Sequence, residues 1–165
     1  MNRESMKDFY DYNTWANKKT LDTLEPLSPE QFTGPMGGSF KSIRDTTVHI
    51  IGAEWIWWQR CIGERPKGLL DPADFSDVAA LRDRWREIDD GFQSLIKSAD
   101  LDEQITYINR HGIQYTYSIG KILLHNANHS TYHRGQIVTL LRQIGAKPAV
   151  TDYLVYVDER NPPSS

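Results

Sequence analysis

Apolar side chains recur at steps of three and four along most of this chain, a spacing that places them on one face of an α-helix. Four long segments show this spacing: Met6 to Leu24, Ser39 or Ser42 to about Gly63, Ser76 through Leu95, and Ile119 to Ile144. The clearest apolar stripe, in the third segment, consists of Leu81, Trp85, Ile88, Phe92 and Leu95. Four amphipathic helices predict an all-α fold in which they pack as a four-helix bundle.

Residues near the ends of these segments support the same boundaries. Ser28-Pro-Glu-Gln31 has the order of a capping box and predicts a short helical turn after the first long helix. Ser76 and Ser118 are the expected N-caps of the third and fourth helices. Gly145 can end the fourth helix in the left-handed conformation, and Pro148 follows it closely.

The pattern changes just before the fourth helix. Residues 105–108 and 113–117 are rich in β-branched and aromatic side chains, and the Asn109-Arg-His-Gly112 segment between them suits a tight turn. We therefore expect a small β-hairpin there. Residues 1–160 are expected to form a single domain, and 161–165 a flexible tail.

Composition narrows the range of partners. The 165 residues include 19 Lys and Arg against 22 Asp and Glu, a net charge of −3, so no basic surface for nucleic acid is expected. No stretch approaches the roughly 18 to 20 apolar residues of a membrane-spanning helix. Residues 1–11 are too polar to form the apolar core of a secretory signal. These features predict a cytoplasmic protein that binds neither nucleic acid nor membrane.

Histidines provide the candidate chemistry. His125, His129 and His133 are spaced four residues apart in the fourth predicted helix. Successive members lie about 40° apart around the helix and about 6 Å apart along it, so all three share one face. Two imidazoles at this spacing can bind one metal ion, but the outer two lie about 12 Å apart. A metal site would therefore use either His125 with His129 or His129 with His133, and a third ligand from another helix.

His49 is the only other histidine within a predicted helix. Gly52 and Ala53 lie on its face, and their small size leaves room for a facing helix or an ion. On the fourth helix, the face that carries the histidines has polar residues with apolar residues around them. Each polar group buried there without a partner would cost about 1 to 3 kcal/mol of folding free energy. Either a metal ion satisfies these groups, or the histidines are hydrogen-bonded in the core or exposed to water.

Several motifs of the sequence resemble those of the DinB/YfiT-like family. The most specific is the segment His129-Ser-Thr-Tyr-His133-Arg-Gly-Gln-Ile137, which is similar to the family's His-x-x-x-His-Arg-Gly-Gln signature. Further matches are Tyr12-Asn-Thr-Trp-Ala-Asn17, His49 followed by Glu54 and Trp55, and Asp152-Tyr-Leu-Val-Tyr156. The resemblance covers nearly the whole chain and keeps the order of its elements.

This resemblance implies an up-down-down-up bundle, commonly a homodimer, with His49, His129 and His133 as the metal ligands. It thereby selects the second of the two histidine pairs. His125 would then be either a proton carrier or a hydrogen-bonded neighbour of the ligands.

Three histidine ligands leave a coordination position open, as in catalytic rather than structural metal sites. Characterised relatives include transferases and isomerases that use low-molecular-weight thiols. The resemblance therefore implies a metal-dependent enzyme that activates water or such a thiol for transfer to a small-molecule electrophile. The alternative is a non-catalytic, dimeric metal- or ligand-binding module. The ion could be zinc, nickel or iron, since imidazole ligands suit all three.

The second long helix carries three tryptophans with different expected positions. At about 100° per residue, Trp57 falls within about 80° of His49, so we expect it to line the pocket. Trp55 and Trp58 point roughly to the other side and are expected to contact another helix, a strand or a second subunit. Burial of this helix on all sides within one subunit is the alternative.

Four other polar or reactive residues are expected to play no direct chemical role. Glu54 and Arg134 point away from the predicted metal ligands, which favours a structural ion pair or charges that face solvent. Cys61 lies about 18 Å along the helix from His49, so it is expected to pack in the core rather than act as a nucleophile. His111, in the predicted turn, is expected to be exposed.

Overall fold

The computed structural model describes residues 2–162, which fold into six α-helices, a short 3₁₀ turn at Pro72–Asp74 and one β-hairpin. The helices are α1 (Arg3–Leu24), α2 (Pro29–Thr33), α3 (Ile43–Cys61), α4 (Val78–Ser98), α5 (Ile119–Gln143) and α6 (Tyr153–Arg160). The hairpin joins β1 (Gln104–Ile108) to β2 (Gln114–Ser118), with Tyr107 opposite Tyr115. The predicted all-α bundle with a small hairpin before its last long helix is confirmed.

The four long helices pack so that α1 and α3 each contact both α4 and α5. Contacts near the two ends of α1 show that it runs antiparallel to α4. Arg3 donates a hydrogen bond to the carbonyl of Ile96 at one end, and Arg82 donates one to Asp22 at the other, over 2.8 Å.

Helix α3 runs parallel to α4, because Glu54 accepts a hydrogen bond from Trp85, and further along both helices Trp58 packs on Gly91. Helix α5 is antiparallel to α3, as the histidine contacts below show. The bundle is therefore up-down-down-up, as expected. Its core includes the fully buried side chains of Trp85, Tyr10, Phe92, Met6, Leu24, Ile43, Ile50, Ile51, Leu81, Ile88, Ile96 and Ile119.

Capping residues set the starts of the long helices. Ser42 rather than Ser39 caps α3, and Ser118 caps α5 as expected. The expectation for α4 is wrong by one residue, because the carboxylate of Asp77, and not Ser76, accepts the Ala80 N–H over 2.9 Å. A carboxylate at this position satisfies a free N–H group and also interacts favourably with the helix dipole.

Helix α6 was not expected from the sequence pattern. It has only eight residues, its Asp152 makes no side-chain N-cap bond, and its Leu154 is 70% exposed. The pattern of apolar and polar positions in this segment is therefore weak. Its attachment depends on α1, where Tyr12 contacts the ring of Tyr156 at 5.8 Å between centroids. Asn161 and Pro162 follow it, and the last three residues of the predicted tail lie outside the described residues.

None of the helices within residues 2–162 has the length and apolar character needed to cross a membrane.

Candidate metal centre

Helices α3 and α5 bring three of the five histidines together. The Nε2 atoms of His49 and His129 lie 3.2 Å apart, and the ring of His133 is centred 4.6 Å from that of His49 and 4.4 Å from that of His129. One potential ligand atom from each residue lies within 4.8 Å of the others. Of the two pairs considered from the sequence, the structure therefore places His129 and His133, and not His125 and His129, against His49.

This arrangement fits a transition-metal ion. Two imidazole nitrogens that bind one tetrahedral ion at about 2.1 Å each are about 3.4 Å apart, close to the 3.2 Å between His49 and His129. Metal ligation also requires neutral imidazoles. Burial, together with the neighbouring His133, lowers the pKa of both His49 and His129 to about 4, so both rings are neutral at pH 7.

The ring of His133 is held in one orientation by Gln136. Nδ1 of His133 lies 2.9 Å from Oε1 of Gln136, and an amide oxygen can only accept the proton in this bond. His133 therefore keeps the lone pair of Nε2 for the shared site. Nε2 of Gln136 in turn donates to Oγ of Ser39, over 3.4 Å. A hydrogen bond to the far nitrogen of a histidine ligand commonly fixes its tautomer in this way.

Phe40 covers one end of the histidine cluster. Its ring is centred 4.3 Å from that of His49 and 5.6 Å from that of His133. Sequence reasoning missed this residue because it lies in the loop before α3, where no periodic pattern indicates which way a side chain points. Phe40 limits access to the cluster from this end.

His125 and Trp57 lie at the opposite end. The ring of His125 is centred 5.7 Å from that of His129 and 5.7 Å from that of Trp57. His125 is partly exposed, and partial burial lowers its pKa. Trp57 contacts His125 rather than the three clustered histidines, so its expected place in the lining of the pocket stays a prediction.

Two reactive residues stay outside the cluster, as expected. His111 is exposed in the hairpin turn, where its ring accepts a hydrogen bond from Nε of Arg110 over 3.2 Å. Cys61 is buried, and desolvation raises the pKa of its thiol to about 12. A thiol with this pKa stays protonated at neutral pH, so it is a poor nucleophile.

Glu54 and Arg134 form part of a buried polar network, so of the two expected roles, a structural ion pair or charges that face solvent, the second is wrong. Glu54 is completely buried, and Arg134 is 2% exposed. Oε1 of Glu54 accepts hydrogen bonds from the amides of Asn13 (2.9 Å) and Asn17 (3.3 Å). The oxygens of the same two amides accept hydrogen bonds from Nη1 of Arg134, over 2.8 and 2.6 Å. The two charges are thus linked through the asparagines rather than by direct contact.

The network also reaches residues next to the clustered histidines. Ser130, which follows His129, donates to Oε1 of Glu54 over 2.6 Å. Arg134 follows His133 directly. These hydrogen bonds join α5 to α1 and α3. They thereby fix the position of His129 and His133 along the axis of α3.

A model of the DinB family matches residues 1–163 of the sequence. The chain belongs to the DinB family. It is 27% identical to Protein DinB of Bacillus subtilis (strain 168) over 165 aligned positions, which cover 92% of this chain and 95% of that relative. The crystal structure of a DinB-like protein from Bacillus cereus ATCC 10987 matches with a TM-score of 0.68 at 21% identity. That match covers 89% of this DinB-family chain and 96% of the other chain, and it shows a common fold.

Proposed function

We propose that this DinB-family protein is a metal-dependent enzyme whose metal ligands are His49, His129 and His133. The proposed reaction is transfer of water or a low-molecular-weight thiol to a small-molecule electrophile. The observation that carries the proposal is the convergence of three imidazoles, from two helices, with ligand atoms within 4.8 Å of one another.

A cation explains this convergence better than histidines hydrogen-bonded to one another. The pair His49 and His129 can share one proton across their 3.2 Å contact, but His133 has its Nδ1 engaged by Gln136 and brings a further lone pair to the same place. Lone pairs that face each other in a partly buried site repel unless a positive charge lies between them. A divalent ion such as zinc, nickel or iron would supply that charge.

The residues around the three ligands would divide the remaining tasks. A bound ion would supply Lewis-acid activation of water or of a thiol sulfur. The ring of Phe40 covers one end of the cluster, so a substrate would approach from the end that holds His125 and Trp57. The ring of His125 lies next to that of His129 without belonging to the ligand cluster, a position in which it would hold or accept a proton.

Elemental analysis of the full chain, purified without an affinity tag, tests the ligand set. We expect about one transition-metal ion per chain, and at least about a tenfold loss of bound metal in His133→Ala. His111→Ala is the matched control and should bind metal like the wild type, because His111 lies in the exposed hairpin turn. A wild-type protein without stoichiometric metal, or His133→Ala with undiminished metal, would refute the assignment.

Activity is tested separately, by comparing thiol consumption and electrophile hydrolysis by metal-loaded and chelator-treated protein across a panel of thiols and electrophiles. We expect turnover only in the loaded form. If metal binds stoichiometrically and no pair reacts, the non-catalytic metal- or ligand-binding module becomes the better description. We also propose that the protein is a homodimer, in line with the family resemblance, which sedimentation velocity tests directly.

A further inference from the structure

Arg60, in the last turn of α3, lies against two aromatic rings. Its guanidinium carbon lies 4.6 Å from the centre of the Trp57 ring and 4.0 Å from that of Tyr107 in the hairpin. The side chain is half-buried, and desolvation lowers its pKa. The two rings are nearly perpendicular, at 85°, with centres 5.1 Å apart, so the guanidinium lies in the corner between them. Cation–π contact with both rings holds it there in advance of any ligand.

The two rings leave the N–H groups of Arg60 without a lone-pair acceptor. A guanidinium carries five N–H donors, and an aromatic ring offers only its π face to a cation. Among residues 2–162, no hydrogen-bond acceptor or carboxylate pairs with this side chain. Arg60 is also not required as a hydrogen-bond donor at the end of α3. The carbonyl of Trp58 accepts the backbone N–H of Ile62 over 3.1 Å, and the carbonyl of Gln59 accepts that of Glu64 over 2.9 Å. The N–H donors of this half-buried guanidinium are therefore available to an anionic ligand.

A cavity of about 450 Å³ lies beside this guanidinium, between the end of α3 and the hairpin. Its lining includes a second cation, Arg65, and the polar side chains of Gln104, Gln114 and Thr106. Glu64 contributes the single carboxylate. Two guanidinium groups against one carboxylate leave the cavity positive, and its size suits part of a small molecule.

The cavity is connected to the candidate metal centre by a row of aromatic side chains. The ring of Trp57 contacts both Arg60 and His125, and His125 contacts His129. Arg60 follows His49 by eleven residues of the same helix, which separates them by about 16 Å along the axis. This row begins at the end of the cluster that Phe40 does not cover.

We propose that the cavity at Arg60 binds an anionic group of the substrate, a carboxylate or a phosphate, while the reactive end of the same molecule lies at the histidine cluster. Only the placement of the reactive end at the histidine cluster rests on the proposed function; anion binding at Arg60 does not. Arg60 is a specificity-determining residue in this scheme, and Trp57 contacts the middle of the molecule. The substrate is therefore an extended anion rather than a small neutral compound.

Binding of simple anions to metal-free protein tests the cavity independently of catalysis. Inorganic phosphate and citrate are titrated separately while the ¹⁵N–¹H signals of the arginine Nε and tryptophan indole groups are recorded. We expect saturable shifts for Arg60 and Trp57 with one or both anions, and the anion that binds more tightly identifies the group. Arg60→Gln should weaken binding by at least about tenfold, and Arg60→Lys by less, because lysine keeps the charge but loses the planar fork.

Two variants serve as controls. Arg142→Gln removes an exposed cation from the same position in α5, its last turn, and should change affinity by less than about twofold. His133→Ala should also leave anion binding unchanged, which shows that the anion is not bound at the histidine cluster.

The inference is overturned if neither anion saturates the protein by about 50 mM, or if Arg60→Gln binds as tightly as the wild type. A protein without bound metal would refute the proposed function and leave anion binding at Arg60 intact, so the two failures are distinguishable. Once a substrate is identified, Arg60→Gln should raise KM by about tenfold with little change in kcat.

Discussion

Glu54 is linked to the helix of the candidate metal centre through Ser130, the neighbour of His129, and contacts none of the clustered histidines. Its two oxygens accept four hydrogen bonds inside the bundle, from Asn13, Asn17, Ser130 and Trp85, the last over 2.6 Å. These donors come from α1, α5 and α4, so a single carboxylate on α3 links all four long helices. A buried charge with this many partners stabilises one relative position of the helices, and its removal leaves several donors without acceptors.

Glu54→Gln should therefore lower the free energy of unfolding by about 3 kcal/mol, because the glutamine NH₂ group would face buried donors. Urea unfolding followed by circular dichroism measures the change. Glu64→Gln, at an exposed position after α3, is the control and should shift stability by less than about 0.5 kcal/mol. Equal stability of both variants would contradict the role given to Glu54.

Protonation of the clustered histidines gives the metal-free protein a distinct pH dependence. Burial lowers the folded-state pKa of His49 and His129 from 6.5 to about 4. Between these values the unfolded chain binds more protons than the folded one, so stability is complete above pH 6.5 and falls as the pH drops toward 4. Partial exposure to water makes this loss smaller than the pKa shifts alone suggest.

Chelator-treated wild type and the double variant His49→Asn/His129→Asn should be compared by urea unfolding at several pH values from 7 to 4. We expect the wild type to lose more stability over this interval, since carboxylates contribute equally to both proteins. Parallel curves would show that the two histidines do not titrate with lowered pKa values.

At the residue scale, sequence spacing predicted which histidines share a face, because positions on one helix are fixed by its period. It could not choose between the two pairs, since that choice depends on how far α5 slides along α3. Phe40 and the buried position of Glu54 had no local signal, because both depend on contacts with residues distant in the sequence.

Close packing of α3 on α4 depends on a glycine. A Cβ atom added at Gly91 would lie 2.3 Å from Cε2 of Trp58, so this position has no room for a side chain. The expectation that Trp58 contacts another helix is thereby confirmed. Trp55 is also partly buried against the core of the same chain.

Gly91→Ala should destabilise the protein by about 1 to 2 kcal/mol, because the clash with Trp58 outweighs the gain in helix propensity. Gly135→Ala in α5 is the matched control, since a Cβ there meets nothing within 4 Å. That variant should be stabilised by about 0.5 to 1 kcal/mol. Thermal unfolding of both variants measures the difference, and stabilisation of both would mean that Trp58 can move aside.

At the element scale, the long helices and the hairpin were predictable because their patterns extend over many residues. Helix α6 was not, because its eight residues depend on an aromatic contact with α1 for attachment. The N-cap at Asp77 shows a smaller limit, since adjacent serine and aspartate residues both suit the position.

The bundle should not need a metal ion to fold, because its core of buried apolar side chains extends through all four long helices. Chelation should therefore leave the helical circular dichroism signal intact. It should nevertheless lower the Tm by several degrees, since ligand binding at about 100-fold above Kd stabilises by about 2.7 kcal/mol. The Tm of His133→Ala should not respond to the chelator, and a chelated protein that loses its helices would contradict this view.

The sequence by itself determined the helices, the hairpin and the shared face of three histidines, because each follows from the repeat of a single element. Only the tertiary structure decided which histidines meet, that Glu54 is enclosed, and that Arg60 contacts both Trp57 and a hairpin tyrosine. These features depend on the positions of different elements relative to one another, which are set by packing across the whole bundle and by no local pattern.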